Sequence, residues 1–236
     1  MKTINIALGL LLLLIFVGCG GTSSTSTNSG IKEEKIDYKS KFINTKSCNQ
    51  IIDKSFFVIC YDYKLKAAKS VAYHLDGDLM AEKIDKRPSF YREPTLEKRY
   101  QILTTDYTNS GYDRGHLAPD AAFDWSDVSL KSVYTLANII PQAPQVNKHM
   151  WSKVETLARN KAVELGDLDV VNVVEYSKYH KSIGKNKMAV SKNFYKILYN
   201  DNKGYKACFK YSNRLNTSSR NDTVEKHRVD CNTINY

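Results

Sequence analysis

The sequence predicts an α+β domain built on an antiparallel sheet. Stretches rich in aromatic and β-branched residues lie both before and after one long helical pattern in the middle of the chain. Turn residues separate neighbouring stretches, as expected when strands follow one another through short connections. Strands first, a helix in the middle and strands after it indicate the α+β class.

Two strands are predicted before the helix. Residues 56–61 form an aromatic and β-branched run, and residues 69–75 alternate between apolar and polar positions. Turn residues follow at 76–78. Residues 80–112 are polar and irregular, and a connection of this length inside a compact domain often has a function.

A short helix or turn is predicted at residues 129–138, and the long helix follows it. Pro144 is suited to open that helix, because its missing N–H is one that the first turn never bonds. Gly166 is suited to end it near residue 165. Three later strands are predicted at residues 169–176, 194–200 and 205–211.

The N-terminal segment predicts export. Residues 1–18 resemble a signal peptide, with Lys2 before an apolar run that is too short to span a membrane comfortably. The run ends at Cys19 in a sequence that resembles the lipobox of bacterial lipoproteins, so we expect lipidation of Cys19 and a membrane anchor. An ordinary secretory peptide with an incidental cysteine is the alternative. Residues 19–30 predict a flexible tether, and residues 31–236 a single domain.

The remaining cysteines predict disulfide bonds. An even number of cysteines in an exported chain indicates two disulfides with three possible connectivities. We favour the pairing of neighbours in the sequence. Their spacing does not match a four-cysteine zinc site. The candidates are Cys48, Cys60, Cys208 and Cys231.

The charge balance favours a polyanionic partner. The formal net charge is +10 at pH 7 and the isoelectric point is about 9.2, which suits nucleic acid or an anionic membrane surface. Residues 178–196 contain six lysines and no acidic residue. They predict either a solvated loop or a rim that contacts phosphates.

His116 is the candidate base for hydrolysis of a phosphodiester. A histidine has a pKa suited to proton transfer near neutral pH. Gly115 before it is expected to let the backbone turn tightly and leave the imidazole accessible. Arg114 and Arg87 can donate charge-assisted hydrogen bonds to phosphate oxygens.

Asn147 and Glu155 are candidates for a magnesium site on the long helix. Their spacing allows both side chains to face one side of the helix. The amide oxygen of Asn147 suits Mg²⁺, which prefers oxygen ligands and keeps several waters. Glu155 can accept hydrogen bonds from those waters. His149 is expected to point away from Asn147 on this helix.

The ordered set of these residues resembles the signature of the DNA/RNA non-specific endonucleases, a family of the ββα-metal superfamily. The similarity extends upstream through residues 71–73 and downstream through residues 194–196. After about residue 212 we find no pattern of this family. The signature comprises residues 113–119 and 138–142 with Asn147, Trp151 and Glu155.

The resemblance implies a ββα-metal motif and a role for each residue around the metal. His116 would be the general base, and Asn147 the only direct protein ligand of a single Mg²⁺, for which Mn²⁺ can substitute. Glu155 would hold metal-bound waters. Asn138 would support the metal ligand or the base. Each of these roles is transferred from the family to the matching position of this sequence.

The same resemblance assigns the arginines. Arg87 would stabilise the transition state and Arg114 would position the phosphate, leaving products with 5′-phosphate ends. Arg92 lies close to Arg87 in the sequence, so the identity of the upstream arginine stays open.

The favoured hypothesis is an exported nuclease that cuts DNA and RNA with little sequence preference. The alternative is a surface lipoprotein that binds nucleic acid without cutting it. A zinc hydrolase would need more histidine or acidic ligands close together. The oligomeric state stays open, a dimer included.

Overall fold

The computed structural model describes residues 45–234, which lie within one compact unit and are organised around an antiparallel sheet. Within these residues, seven strands form this sheet in the order β1-β2-β3-β6-β9-β10-β11, while β4 pairs with β5 and β7 with β8. The strands are β1 (Gln50–Asp53), β2 (Phe57–Asp62), β3 (Ala67–Asp76), β4 (Asp113–His116), β5 (Ile139–Gln142), β6 (Asp167–Glu175), β7 (Ser182–Ile183), β8 (Met188–Ala189), β9 (Asn193–Asn200), β10 (Tyr205–Ser212) and β11 (Arg228–Val229).

The helices confirm the predicted pattern, with the helical segment opening at Pro144 as expected, and the one difference is a π-helical turn near its start. The long helix is α2 (Ser152–Leu165), and the π-helical turn, Val146–Trp151, precedes it. In a π-helix each hydrogen bond joins residues five apart, so Trp151 lies on the same face of the turn as Val146. Both side chains are buried. Gly166 ends α2 with a φ of +93°. The short helix near residue 130 is α1 (Asp127–Val133).

Short 3₁₀ turns make up most of the remaining regular structure in residues 45–234. They are Thr45–Ser47, Asp78–Ala81, Lys98–Tyr100, Thr104–Tyr107, Asp120–Ala122, Leu136–Asn138, Asp201–Lys203, Val224–His227 and Cys231–Thr233.

The main core lies between one face of the sheet, α2 and the β4–β5 hairpin. Alternate residues of a strand point to opposite faces, so in β2 Phe57 and Ile59 join this core while Val58 and Cys60 join a smaller cluster on the other face. Trp151 is the largest side chain that is fully buried on the α2 side. The predicted α+β class with an antiparallel sheet is confirmed.

The β4–β5 hairpin and the helical segment after it form a ββα unit. β4 and β5 pair antiparallel with His116 opposite Ile139, and the chain enters the π turn a few residues after β5. Neither strand was predicted from local composition, because both are short and contain Gly115 or Pro141. The motif implied by the resemblance is nevertheless present.

Two disulfides hold the ends of the described chain to the sheet. Cys48 is bonded to Cys60 in β2, and Cys208 in β10 is bonded to Cys231, which is the pairing favoured from the sequence. The second bond fixes the C-terminal segment beside β10.

The predicted signal peptide (1–18), Cys19 and the tether (19–30) lie outside the described residues. Among residues 45–234, no helix is both long and apolar enough to cross a membrane.

Candidate active site

Gly115 allows β4 to lie close against a buried side chain. A Cβ atom at this position would stand 2.1 Å from Oε1 of Gln142, which is fully buried in β5. Gly115 is part of the extended pairing of β4 with β5, so the expectation that it makes a tight turn is wrong. The small residue is required for close approach of the two strands.

His116 ends β4 in an aromatic pocket. Its ring centroid lies 5.6 Å from that of Phe90 and 5.0 Å from that of Tyr134, the latter edge to face. Nε2 is buried and has no hydrogen-bond partner within the described residues. Burial lowers the pKa of His116 to about 4, with nearby Arg87 acting in the same direction and Asp120 opposing it. The imidazole is therefore neutral at pH 7, which is the form that a base requires.

Arg87 lies near His116 and is held by two carboxylates. Its Nε is 3.2 Å from Asp120 Oδ2 and its Nη2 is 3.0 Å from Asp124 Oδ2. The Arg87 side chain remains 38% exposed and can still meet a ligand. Arg92, the other upstream candidate, is exposed and makes no ion pair within residues 45–234. The geometry therefore favours Arg87 as the upstream arginine.

Asp120 is a site residue that the sequence analysis missed. Its carboxylate accepts a hydrogen bond from the Tyr134 hydroxyl at 3.0 Å as well as the ion pair with Arg87. It also raises the pKa of both His116 and Glu155, so its charge acts on both groups. The only sequence signal was its position four residues after His116.

Arg114 lies on the same face of β4 as His116, two residues away. Its guanidinium stands 5.3 Å from the centre of the Phe90 ring, and that ring also neighbours His116. The side chain is exposed, so it is free to contact a phosphate.

Asn138 supports the chain directly after His116. It is fully buried, its Oδ1 accepts from Ala118 N at 2.9 Å, and its Nδ2 donates to Ala118 O and Val133 O, each at 2.9 Å. These bonds connect α1 to the segment that leaves β4. Its partners Ala118 and Val133 place this support next to His116, and within the described residues no hydrogen bond joins Asn138 to Asn147.

Asn147 is oriented by Asp113 at the start of β4. Its Nδ2 donates to Asp113 Oδ2 at 3.2 Å, and Lys148 Nζ lies 3.3 Å from the same oxygen. Because a carboxylate accepts only from the NH₂ end of the amide, the carbonyl oxygen of Asn147 is left for another partner. No hydrogen bond joins Asn147 to His116 or Glu155 among residues 45–234.

Glu155 is a partly buried carboxyl group on α2 without a hydrogen-bonded or ion-paired partner in the described chain. Burial raises its pKa to about 7, and the positive charges of Lys196 and Arg159 oppose that rise, while Asp120 adds to it. The indole N–H of Trp151 lies near enough to lower this pKa but does not complete a hydrogen bond.

Lys196 is buried, so the prediction that residues 178–196 form an exposed basic stretch is wrong for its last member. Its Nζ donates to Asn172 Oδ1 at 2.8 Å and to the Tyr73 hydroxyl at 3.2 Å, and it lies 4.4 Å from the Trp151 ring centre. Burial lowers the pKa of Lys196 to about 8, and Glu155 opposes that shift. Its place in the apolar strand β9 was the available signal.

The donor set fits a hydrated magnesium ion better than a metal enclosed by protein. Within residues 45–234 no group of three or more histidine, cysteine, aspartate or glutamate side chains could hold a metal. The free amide oxygen of Asn147 and the unpaired carboxyl of Glu155 suit an ion that keeps most of its water. His149, two residues after Asn147, is exposed.

A polar groove of about 480 Å³ adjoins the arginine side of the site. Arg87 and Arg159 line it together with Lys83, and Asp85 and Asp124 are also present. The volume of the groove and the positive charge of its basic side chains suit a phosphate backbone.

Comparisons with known proteins agree with this arrangement. Residues 37–236 match the family model described as DNA/RNA non-specific endonuclease, so the match includes the segment after residue 212 where no family pattern was found in the sequence. Human mitochondrial endonuclease G is 32% identical over 161 residues, which are 63% of this chain and 54% of that protein. Nuclease C1 of Cunninghamella echinulata var. echinulata is 24% identical over 165 residues, covering 64% of this chain and 66% of that one.

A solved structure gives the same fold. The structure of the EndoG/EndoGI complex, described as showing the mechanism of EndoG inhibition, has a TM-score of 0.68 and 21% identity, and covers 78% of this chain and 81% of its own. The chain spans about half the length of the first endonuclease G relatives it matches. By the family match over residues 37–236, this chain belongs to the DNA/RNA non-specific endonuclease family.

Proposed function

We propose that this protein is a magnesium-dependent endonuclease that hydrolyses the phosphodiester bonds of DNA and RNA with little sequence preference. The observation that carries the proposal is the position of His116 on a ββα unit, where its buried Nε2 has no hydrogen-bond partner in the described chain and Arg87 lies nearby. The family membership and the nuclease names of the relatives support the same reaction class.

In this proposal His116 is the base. Its lowered pKa keeps the ring able to accept a proton from water throughout the neutral range. Asn138 holds the backbone that follows the ring, which fixes the position of the base. Phe90 and Tyr134 exclude bulk water from two sides of the imidazole.

Arginine side chains neutralise the charge that develops on the phosphate. Arg87 is pre-oriented by Asp120 and Asp124, so little side-chain ordering remains when the substrate binds. Arg114 can contact a neighbouring non-bridging oxygen from the same face of β4. Cleavage on the 3′-oxygen side would leave 5′-phosphate ends.

The amide oxygen of Asn147 would hold Mg²⁺ or, in substitution, Mn²⁺, and Glu155 would accept hydrogen bonds from its waters. When bound, the ion supplies charge neutralisation at the phosphate and at the departing oxygen. Asp113 fixes the amide orientation that this role needs.

DNA and RNA are the proposed substrates because recognition would act on the phosphate backbone. The net charge of +10 favours such binding, and activity should fall steeply as salt rises.

We also propose that the protein is exported and anchored to a membrane through a lipid on Cys19. The two disulfides support an oxidising compartment, because such bonds are rare in the cytosol. Membrane fractionation of cells expressing wild type and Cys19→Ala tests the anchor. Release of the variant into the soluble fraction is expected, and equal retention of both proteins contradicts it.

A nicking assay tests the enzymatic proposal against the non-catalytic alternative. Supercoiled plasmid and a structured RNA are incubated with the protein in Mg²⁺ or EDTA, and His116→Ala is compared with the matched variant His149→Ala. We expect Mg²⁺-dependent products from wild type and His149→Ala, and a rate lower by roughly 10²–10⁴-fold for His116→Ala with DNA binding retained. A pure binding protein yields no metal-dependent product, and full activity of His116→Ala contradicts the proposed base.

A further inference from the structure

A second groove, of about 550 Å³, opens beside Tyr112, the residue before β4. The segment 177–181 after β6, the segment 190–193 at the start of β9, and the segment 212–216 after β10 form its walls. Residues distant in the sequence therefore converge on one surface feature outside the candidate active site.

The charged side chains that line this groove are all basic. They are Lys181, Lys192 and Arg214, and no aspartate or glutamate lines it. Lys181 and Arg214 form no ion pair within the described chain. Lys192 lies 3.3 Å from Glu175 Oε1 but stays 59% exposed. A groove with unneutralised positive charge favours an anionic ligand.

An exposed aromatic ring stands at the edge of the groove. Tyr179 is 86% exposed, and Lys178 Nζ lies 5.4 Å from the centre of its ring. Tyrosine rings are usually at least partly covered, because their large apolar faces are costly to leave in water. A ring presented to solvent beside lysines provides a stacking surface for a nucleobase.

The floor of the groove is fixed to the candidate active site. Asn213 is buried; its Oδ1 accepts from Ala143 N at 2.8 Å and its Nδ2 donates to Pro141 O at 2.9 Å. Tyr112 directly precedes Asp113, whose carboxylate orients the Asn147 amide. The groove therefore begins one residue before Asp113, the residue that orients the proposed metal ligand.

We propose that this groove binds an unpaired segment of the nucleic-acid substrate, with a base stacked on Tyr179 and phosphates bound by Lys181 and Arg214. The inference rests on the proposed function and adds a subsite to it. An unpaired strand is favoured over a duplex because stacking on a protein ring needs a base face that a paired helix keeps covered. Lys192 adds to the positive field.

Binding measured without cleavage tests this subsite. Fluorescence anisotropy follows a short labelled single-stranded DNA or RNA oligonucleotide, and the matching duplex, in the His116→Ala background. Tyr179→Ala should weaken single-strand binding by about 5-fold or more, while Tyr179→Phe, which keeps the ring, should bind as the parent does. Duplex binding should change less.

Salt dependence tests the role of the two basic side chains at the phosphates. The double variant Lys181→Ala/Arg214→Ala should flatten the plot of log Kd against log salt by about 0.7 for each phosphate that is no longer neutralised, or about 1.4 in total. Lys206→Ala, at the opposite end of β10, is the matched control and should leave single-strand affinity nearly unchanged.

Unchanged single-strand affinity in Tyr179→Ala and an unchanged salt slope in the double variant would overturn the subsite. An equal loss in Tyr179→Phe and Tyr179→Ala would overturn the stacking role. Circular dichroism confirms that these surface variants remain folded. Plasmid cleavage is measured separately with His116 intact. Cleavage without the expected binding changes contradicts only the subsite, whereas absence of cleavage contradicts the proposed nuclease function.

Discussion

Removing the side chain of Asn138 should destabilise the protein and slow catalysis together. Asn138→Ala deletes three hydrogen bonds of 2.9 Å in a fully buried position and leaves the Ala118 N–H without a partner. At about 1 kcal/mol for each bond, with a further penalty for the orphaned buried donor, the expected loss of unfolding free energy is roughly 3–5 kcal/mol. Urea denaturation followed by circular dichroism measures it.

The catalytic effect follows from the position of Ala118, two residues after His116. A displacement of the base by about 1 Å can cost roughly 10²-fold in rate, so kcat of the folded variant should fall by up to that factor. Asn138→Asp keeps an acceptor for Ala118 N but faces two carbonyl oxygens with a carboxylate, and should be at least as unstable. Asn160→Ala, an exposed asparagine on α2, is the matched control and should stay within about 0.5 kcal/mol of wild type.

A loss of less than about 1 kcal/mol in Asn138→Ala would refute the energetic reasoning, because it is smaller than the value of a single buried hydrogen bond with its orphaned partner. A strongly destabilised variant that keeps wild-type kcat in its folded fraction would refute the link between Asn138 and the base.

Two further predictions concern ionisable groups of the site. In EDTA, wild type should lose up to about 3 kcal/mol of unfolding free energy relative to His116→Gln as the pH falls from 6.5 to about 4. The reason is that His116 takes up a proton in the unfolded chain at a higher pH than in the folded protein. Urea denaturation of both proteins across this range measures the effect, and a difference in unfolding free energy that does not change with pH contradicts it. Lys196→Met should shift the acidic limb of the kcat profile to higher pH, because Glu155 loses a nearby positive charge. With the pKa of Glu155 about 7, a rise of about one unit lowers its ionised fraction at pH 7 from about half to about a tenth, and activity should recover near pH 9. A uniform loss of rate at every pH would point to a structural role of Lys196 alone.

Local sequence patterns predicted the elements that are long and periodic. β3 and α2 carry apolar residues at regular spacing over many positions, so their burial could be inferred without knowing their neighbours. β4 and β5 are four residues each and contain Gly115 and Pro141, so their local composition does not indicate a strand. Only the resemblance to a known family indicated the ββα unit.

The missed site residues depend on contacts between distant parts of the chain. Asp120 belongs to the site because Arg87 folds back onto it from the long connection before β4. Lys196 in β9 is buried with hydrogen-bond partners from two other strands, Asn172 on the adjacent β6 and Tyr73 on β3, one strand further along the sheet. Such partners follow from strand order, and strand order is not encoded in local periodicity.

In the proposed mechanism Asn147 holds a single catalytic magnesium ion for the base His116. The most direct test is a Mg²⁺ titration of the plasmid-cleavage rate for wild type, Asn147→Ala and the neighbouring control His149→Ala. We expect a hyperbolic dependence for wild type and His149→Ala. For Asn147→Ala, the Mg²⁺ concentration at half-maximal rate should rise by roughly 10–100-fold or more, or cleavage should be lost, with the fold intact by circular dichroism. Identical titration curves for wild type and Asn147→Ala, or undiminished cleavage in EDTA, would contradict the account.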